Sequence, residues 1–167
     1  MAYQLKVDGM AELSETLSKM EQQAPAVAAQ ALFEGAGVMA DEIRKGAEAI
    51  KTEPFKYAKP GEYRLPSPEE KQIILDAGAG IAKFNKNGTE VDTSVGFQSS
   101  GYAELEGKTR PIPLIVNSIN SGTSFMKKQP FIRKAKNTGG KKAISKMTQK
   151  IESEWEKLYN ETFGKTR

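Results

Sequence analysis

Few residues in this sequence have the type and spacing that chemistry requires. Glu69-Glu70 and the alternating Glu104 and Glu106 are paired acids, and glycoside hydrolysis needs two carboxylates opposed across a cleft. Glu69-Glu70 follows Ser67-Pro68. An N-cap, a proline at the first helical position and acids at the positive end of the helix dipole account for all four. Glu104 and Glu106 alternate with Ala103 and Leu105, as the polar side of a strand or turn does. Gly78-Ala79-Gly80 resembles a fragment of a phosphate-binding loop, but such a loop leads into a helix opened by Lys and Ser/Thr. Here a hairpin pattern follows instead. The chain holds no cysteine and no histidine, which removes thiol nucleophiles, His-based triads, disulfides and Cys- or His-ligated metals. The expectation is a non-enzymatic protein with no catalytic, cofactor-binding or metal-binding residues. A carboxylate-dependent hydrolase is the enzymatic alternative.

Charge is distributed unevenly. From Met126 onward stand twelve Lys and Arg against four Asp and Glu, and before it thirteen against seventeen, so local balances of +8 and −4 make up the net +4. Between Met126 and Ile151 there are eight lysines and Arg133 without one acid. Such a stretch suits nucleic acid, an acidic protein surface or a solvated helix face. Lys127, Lys128, Lys134, Lys136, Lys141 and Lys142 are the candidate charged interface. The nearby aromatics are Phe125 and Phe131, so base stacking has thin support here.

These residues need elements to position them. With 167 residues, 38% of them hydrophobic, the chain suits a single domain over 1–167 with a modest core. Tyr3, Leu5 and Val7 alternate with polar residues as a short strand does. Asp8 then caps a helix bearing Met10, Leu13, Leu17 and Met20. Gln22-Gln23-Ala24 breaks that period, and Pro25 opens a second helix carrying Val27, Ala31, Val38, Ile43, Ala47 and Ile50. The alanines and glycines of this helix imply a closely approached neighbour. Residues 51–66 form a Pro-rich loop, long enough to be functional or disordered.

Ser67 caps a short helix through Ile73, Ile74 and Leu75. Asn87-Gly88 predicts a two-residue type I′ hairpin, with Phe84 opposite Val91, Ala82 opposite Thr93 and Gly80 opposite Val95. Pro111–Val116 reads as an edge strand. Gly139-Gly140 punctuates before a terminal helix of about five turns, whose apolar face is Ile144, Met147, Ile151, Trp155 and Leu158, and Gly164 ends it. The expected fold class is α+β: an antiparallel sheet with a β-hairpin, packed against two N-terminal helices and a long C-terminal helix.

A Gly-Thr after a strand, a short spacer, and then Gln-Pro-Phe-Ile-Arg-Lys-Ala leading into the final helix occupy positions 122–135. The block, with Gly122, Thr123, Gln129, Pro130, Phe131, Arg133 and Ala135 as its marks, resembles the tail-component family of long-tailed bacteriophages. These are neck or tail-completion proteins of the head–tail junction. Members of that family often carry an acid just before the Gly-Thr, where Ile119-Asn120-Ser121 stands here. The resemblance implies a structural virion protein, assembled in the bacterial host cytoplasm as a homo-oligomeric ring around the DNA channel, with six subunits expected. Its partners would be head-closure and tail proteins, with channel DNA contacted without sequence specificity. The alternative function is a small basic nucleic-acid-binding protein using Lys127–Lys142. No export signal opens the chain, and Pro25–Val38 falls short of the roughly 18 apolar residues of a membrane span, so no membrane partner is expected.

From residues alone, Phe131 is an anchor of the chain to the sheet, Pro130 holds Gln129 extended, and Ala135 permits close packing.

Overall fold

Alanine and glycine fill the inner positions of both long helices, and this governs how closely those helices approach. Residues 10–88, 90–98 and 100–163 are described by the structure, a computed structural model; the expected strand at Tyr3–Val7, the Asp8 cap of the first helix and the stop at Gly164 lie outside them. Helix α1 (Met10–Glu48) and helix α4 (Phe131–Phe163) pack side by side. A Cβ added to Gly46 would lie 3.2 Å from the Phe131 carbonyl, and one added to Gly139 would lie 3.0 Å from Met39 Sδ. One added to Gly35 would lie 2.6 Å from Met147 Cγ. As α1 is followed backwards α4 runs forwards, so the pair is antiparallel. Ala31, Ala36, Ala135 and Ala143 are all buried.

Two expected boundaries are therefore absent. The chain does not break at Gln22-Gln23-Ala24, and α1 runs through Pro25 as one helix of 39 residues. Proline removes one N–H donor there, while the residues before it are ordinary helix formers. Nor do Gly139-Gly140 start a new element, since α4 passes through them. Gly139 is buried against α1, so it is a packing residue rather than punctuation. Of the apolar face expected on α4, Met147, Ile151, Trp155 and Leu158 are half-buried, whereas Ile144 is 61% exposed.

Helix α2 (Pro68–Ala77) begins as expected with a capping box. Ser67 Oγ accepts from the Glu70 amide, and the Glu70 carboxylate accepts from the Ser67 amide. Lys71 Nζ donates to the carbonyls of Glu48 and Ile50, answering the unsatisfied acceptors at the end of α1.

Helix α3 (Ile112–Ser121) replaces the strand expected over Pro111–Val116. The prolines suit a helix start equally well, and Ile112, Ile115, Val116 and Ile119 recur at helical spacing. The expected Gly-Thr after a strand is thus a Gly-Thr after a helix.

The strands are short and form three separate antiparallel pairs rather than one sheet. They are β1 (Gly80–Ile81) with β4 (Val95–Gly96), β2 (Asn85–Asn87) with β3 (Glu90–Asp92), and β5 (Tyr102–Leu105) with β6 (Lys108–Pro111). Val91, Thr93, Val95 and Phe97 do turn inward in alternation. Their partners differ from expectation: Lys86, not Phe84, lies opposite Val91, and Gly96, not Val95, lies opposite Gly80. Asn85, Lys86 and Asn87 are all exposed, so no buried face pins their register. Phe84 instead lines a shallow groove with Ala29 and Phe33 of α1. Among the described residues, two consecutive positive φ values occur at Glu106-Gly107, 54° and 68°, joining β5 to β6 in the manner of a type I′ hairpin.

The fold is α+β. Its core lies at one end of the helical pair, where Ile43 and Ala47 of α1 and Ile50 just past its end meet Ile74, Ile115, Val116, Ile119, Met126 and Phe131.

The open glycines and the buried seam should respond differently to substitution. Gly37 and Gly140 have nothing within 4 Å of an added Cβ, so alanine at either should raise stability by up to about 1 kcal/mol through helix propensity. Ala143→Leu, on the buried seam, should lower it by about 1–3 kcal/mol through overpacking. Urea midpoints of the three variants check this. A stabilised Ala143→Leu would refute the close approach of α1 and α4.

Candidate interaction surface

The block at 122–135 is built mainly from backbone satisfaction. Gly122, at φ 79°, ends α3 and donates its N–H to the Ser118 carbonyl. A side chain there would meet Lys128 Cβ at 2.9 Å. Thr123 Oγ1 accepts from the amides of Phe125 and Met126, holding a tight turn. Gln129 works across 78 residues of chain: its Oε1 accepts from the Lys51 amide and its Nε2 donates to the Lys51 carbonyl, at 2.9 and 2.8 Å. Pro130 precedes α4, and its carbonyl accepts from Lys134 N. Phe131 is buried edge-to-face on Phe97, centroids 6.2 Å apart. Ala135 is buried one turn later, and Arg133 points to solvent. Asn120 accepts from the Ile132 amide through Oδ1 at 3.2 Å, capping the first turn of α4.

The Pro-rich loop at 51–66 is held in a defined conformation. Arg64 and Glu70 form a buried bidentate pair, both N···O distances 2.6 Å, with side chains 6% and 4% exposed. The planar fork of guanidinium on carboxylate gives this pair its geometry. Arg64 also lies over the Phe55 ring, 5.0 Å from its centroid, a cation–π contact. The hydrogen bonds that the guanidinium donates to Glu70 push its pKa up against the opposing effect of burial. Glu53 accepts from the Leu65 amide at 2.6 Å, which draws its carboxyl below the usual 4.5, with Lys56 assisting. Arg64 donates its own amide to the Phe125 carbonyl and accepts from Lys127 N, a parallel bridge to Met126. The loop and the 122–135 block are thus one structural unit.

In the sequence Glu70 stands out only as a first-turn acid, and no local pattern singles out Arg64 or Glu53. The S-x-x-E capping box was a readable signal for Glu70. Nothing local connects Arg64 to it.

The cations divide into two sets. Lys142 pairs with Glu42 at 3.1 Å, and Lys146 and Lys150 reach Glu34 at 3.5 and 3.9 Å, all across the α1–α4 seam. The hydrogen bonds from Lys142 and Lys45 lower the pKa of Glu42. Lys127, Lys128, Arg133, Lys134, Lys136 and Lys141 are exposed, and no ion pair reaches them among the described residues. The paired acids and the glycine fragment build no common site. Glu69 and Glu104 are exposed, Glu106 sits in a turn, and Gly78 and Gly80 flank the end of α2 and the start of β1. Among the described residues no group of three or more acidic, His or Cys side chains could hold a metal ion, and no helix is long and apolar enough to cross a membrane.

Comparison with models of known protein families, with curated proteins and with solved structures finds no match to this chain.

Breaking the buried pair leaves an uncompensated charge, so Arg64→Ala or Glu70→Ala should each lose about 3–5 kcal/mol by denaturant titration. A joint Arg64→Met, Glu70→Leu change should recover most of that loss. Single losses below about 1 kcal/mol would mean that the pair is solvated.

Glu53 predicts a separate acid response. Its pKa is lower folded than unfolded, so its contribution is complete above the unfolded value and disappears as pH falls through the folded one. Thermal melts should show the wild type losing stability below about pH 4.5, with a smaller loss in Glu53→Gln. Identical pH profiles would exclude the Glu53–Leu65 bond as the cause.

Proposed function

We propose that this chain is a non-enzymatic structural subunit of the head–tail junction of a bacteriophage or prophage-derived particle, assembling as a ring around the DNA channel. The carrying observation is the block Gly122–Ala135. It bears the resemblance to neck and tail-completion proteins, and its conformation sets where α4 begins. Arg133, Lys134, Lys136 and Lys141 on the exposed side of α4 supply a charged surface for an acidic neighbouring protein. Six subunits, with head-closure and tail proteins as neighbours and the virion as location, belong to this reading. Mutual repulsion among these cations would be relieved on docking, and such contacts mainly set encounter rate and orientation.

The test is the triple change Lys134→Glu, Lys136→Glu, Lys141→Glu. It should leave the circular dichroism of the subunit unchanged while reducing the association rate with junction proteins at least tenfold at low salt, because steering by opposite charge is reversed. Native mass spectrometry of the wild type should give a ring. A chain that stays monomeric with every junction component present would overturn the proposal. Normal assembly by the variant, with tight duplex DNA binding that the variant loses, would transfer the function to nucleic-acid binding.

A further inference from the structure

Aromatic residues are sparse beside the lysines when the chain is read in order, but the fold brings in another from a distant segment. Arg64 and Met126 are bridged in parallel register by the hydrogen bonds Arg64 N to Phe125 O, 2.9 Å, and Lys127 N to Arg64 O, 3.0 Å. Side chains alternate along extended backbone. Arg64 and Met126 point inward, 5% and 3% exposed, and their neighbours Tyr63, Phe125 and Lys127 point outward. Tyr63 is 64% and Phe125 47% exposed. The Tyr63 ring borders a depression of about 730 Å³ together with Thr123, Lys127 and Lys128. No acid occurs between Ser121 and Lys128.

We propose that this face binds single-stranded nucleic acid, with Tyr63 and Phe125 stacking on unpaired bases and Lys127 and Lys128 meeting the backbone phosphates. Exposed rings beside a cationic groove are the chemistry of sequence-tolerant single-strand recognition, because every base offers a π-face. A duplex keeps those faces stacked inside it, so the rings discriminate against it. A surface meant only for an acidic protein would use the lysines and leave the rings idle. The depression is also within the size range of small-ligand sites. This proposal does not rest on the head–tail reading: its contact residues are not the α4 cations assigned to a protein neighbour there, and neither one's failure decides the other.

The test is fluorescence anisotropy of the full chain with a labelled oligothymidylate and with a duplex of equal length, across a salt series. The single strand should bind more tightly. Tyr63→Ala should weaken it by about 5- to 100-fold, the loss of one stacked base, whereas Tyr63→Phe, which keeps the ring, should bind as the wild type does. The double change Lys127→Glu, Lys128→Glu should abolish tight binding and flatten the salt dependence by about 0.7 per lost phosphate contact. A folded Tyr63→Ala that binds as the wild type does would overturn the proposal, as would equal affinity for duplex. So would binding displaced by polyglutamate and indifferent to Tyr63, which would mark an acidic-protein surface. Photocrosslinking of the wild type to an iodouracil-substituted strand gives an answer that needs no variant. Adducts on Tyr63 or Phe125 are expected, and adducts found only elsewhere would overturn the assignment.

Discussion

The buried ion pair between Arg64 and Glu70 constrains more of this molecule than any single apolar contact. Two charges withdrawn from water need every lone pair and proton answered, and the surroundings are arranged to do so. The Ser67 amide donates to one carboxylate oxygen, the Leu65 carbonyl accepts from the guanidinium, and the Phe55 ring covers it. Satisfying the pair therefore orders a segment with little regular structure of its own. Because the Arg64 backbone is bridged to Met126, the same pair sets the height at which the chain enters α4. A more apolar design would reach similar stability with less dependence on register. Here the charge fixes which backbone atoms can meet.

What was legible beforehand follows from the range of the interaction concerned. Ser67-Pro68-Glu69-Glu70 is a local signal and produced the expected helix start. The alanines and glycines of residues 25–50 announced a close neighbour, which is α4. Inward alternation at Val91, Thr93, Val95 and Phe97 was equally local. Where two elements share a vocabulary, the sequence is ambiguous. Pro111-Ile112-Pro113 opens a helix as readily as an edge strand, and only the further spacing to Ile119 separates the two. Pro25 and Gly139-Gly140 look like boundaries in a linear chain, yet tertiary contact carries the helix across Gly139. The pairing of Arg64 with Glu70 and of Gln129 with Lys51 leaves no local trace, because each partner alone is an ordinary surface residue.

Acid-free runs of lysine invite a single functional label, but the fold assigns these cations different surroundings. Lys142, Lys146 and Lys150 face Glu34 and Glu42 across the seam, where ion pairs in contact with solvent add little to stability. Their role is to complement α1. The cations nearer the start of α4 have no such partner among the described residues. The number of charges available to an outside surface is thus smaller than composition suggests, and they are concentrated near Gly122–Ala135. Six of the marks of that block serve backbone geometry or packing, and Arg133 alone projects outward. A motif can be structural in its own atoms and still fix where the contact residues stand.

The Gln129–Lys51 contact has a kinetic consequence. Joining residues 78 positions apart closes a large loop, whose entropy amounts to about 4 kcal/mol plus a constant. Most core contacts of α4 become available only after that closure, so the helical pair cannot zip progressively from a short connection as a simple helical hairpin does. Distant pairings of this sort slow folding. During synthesis α1 emerges long before α4, and its alanine- and glycine-rich seam must wait in water for a partner more than eighty residues downstream. Small side chains suit that wait. They expose little apolar surface for wrong partners to seize, so the seam that permits the closest final approach is also the least adhesive while it is unpaired.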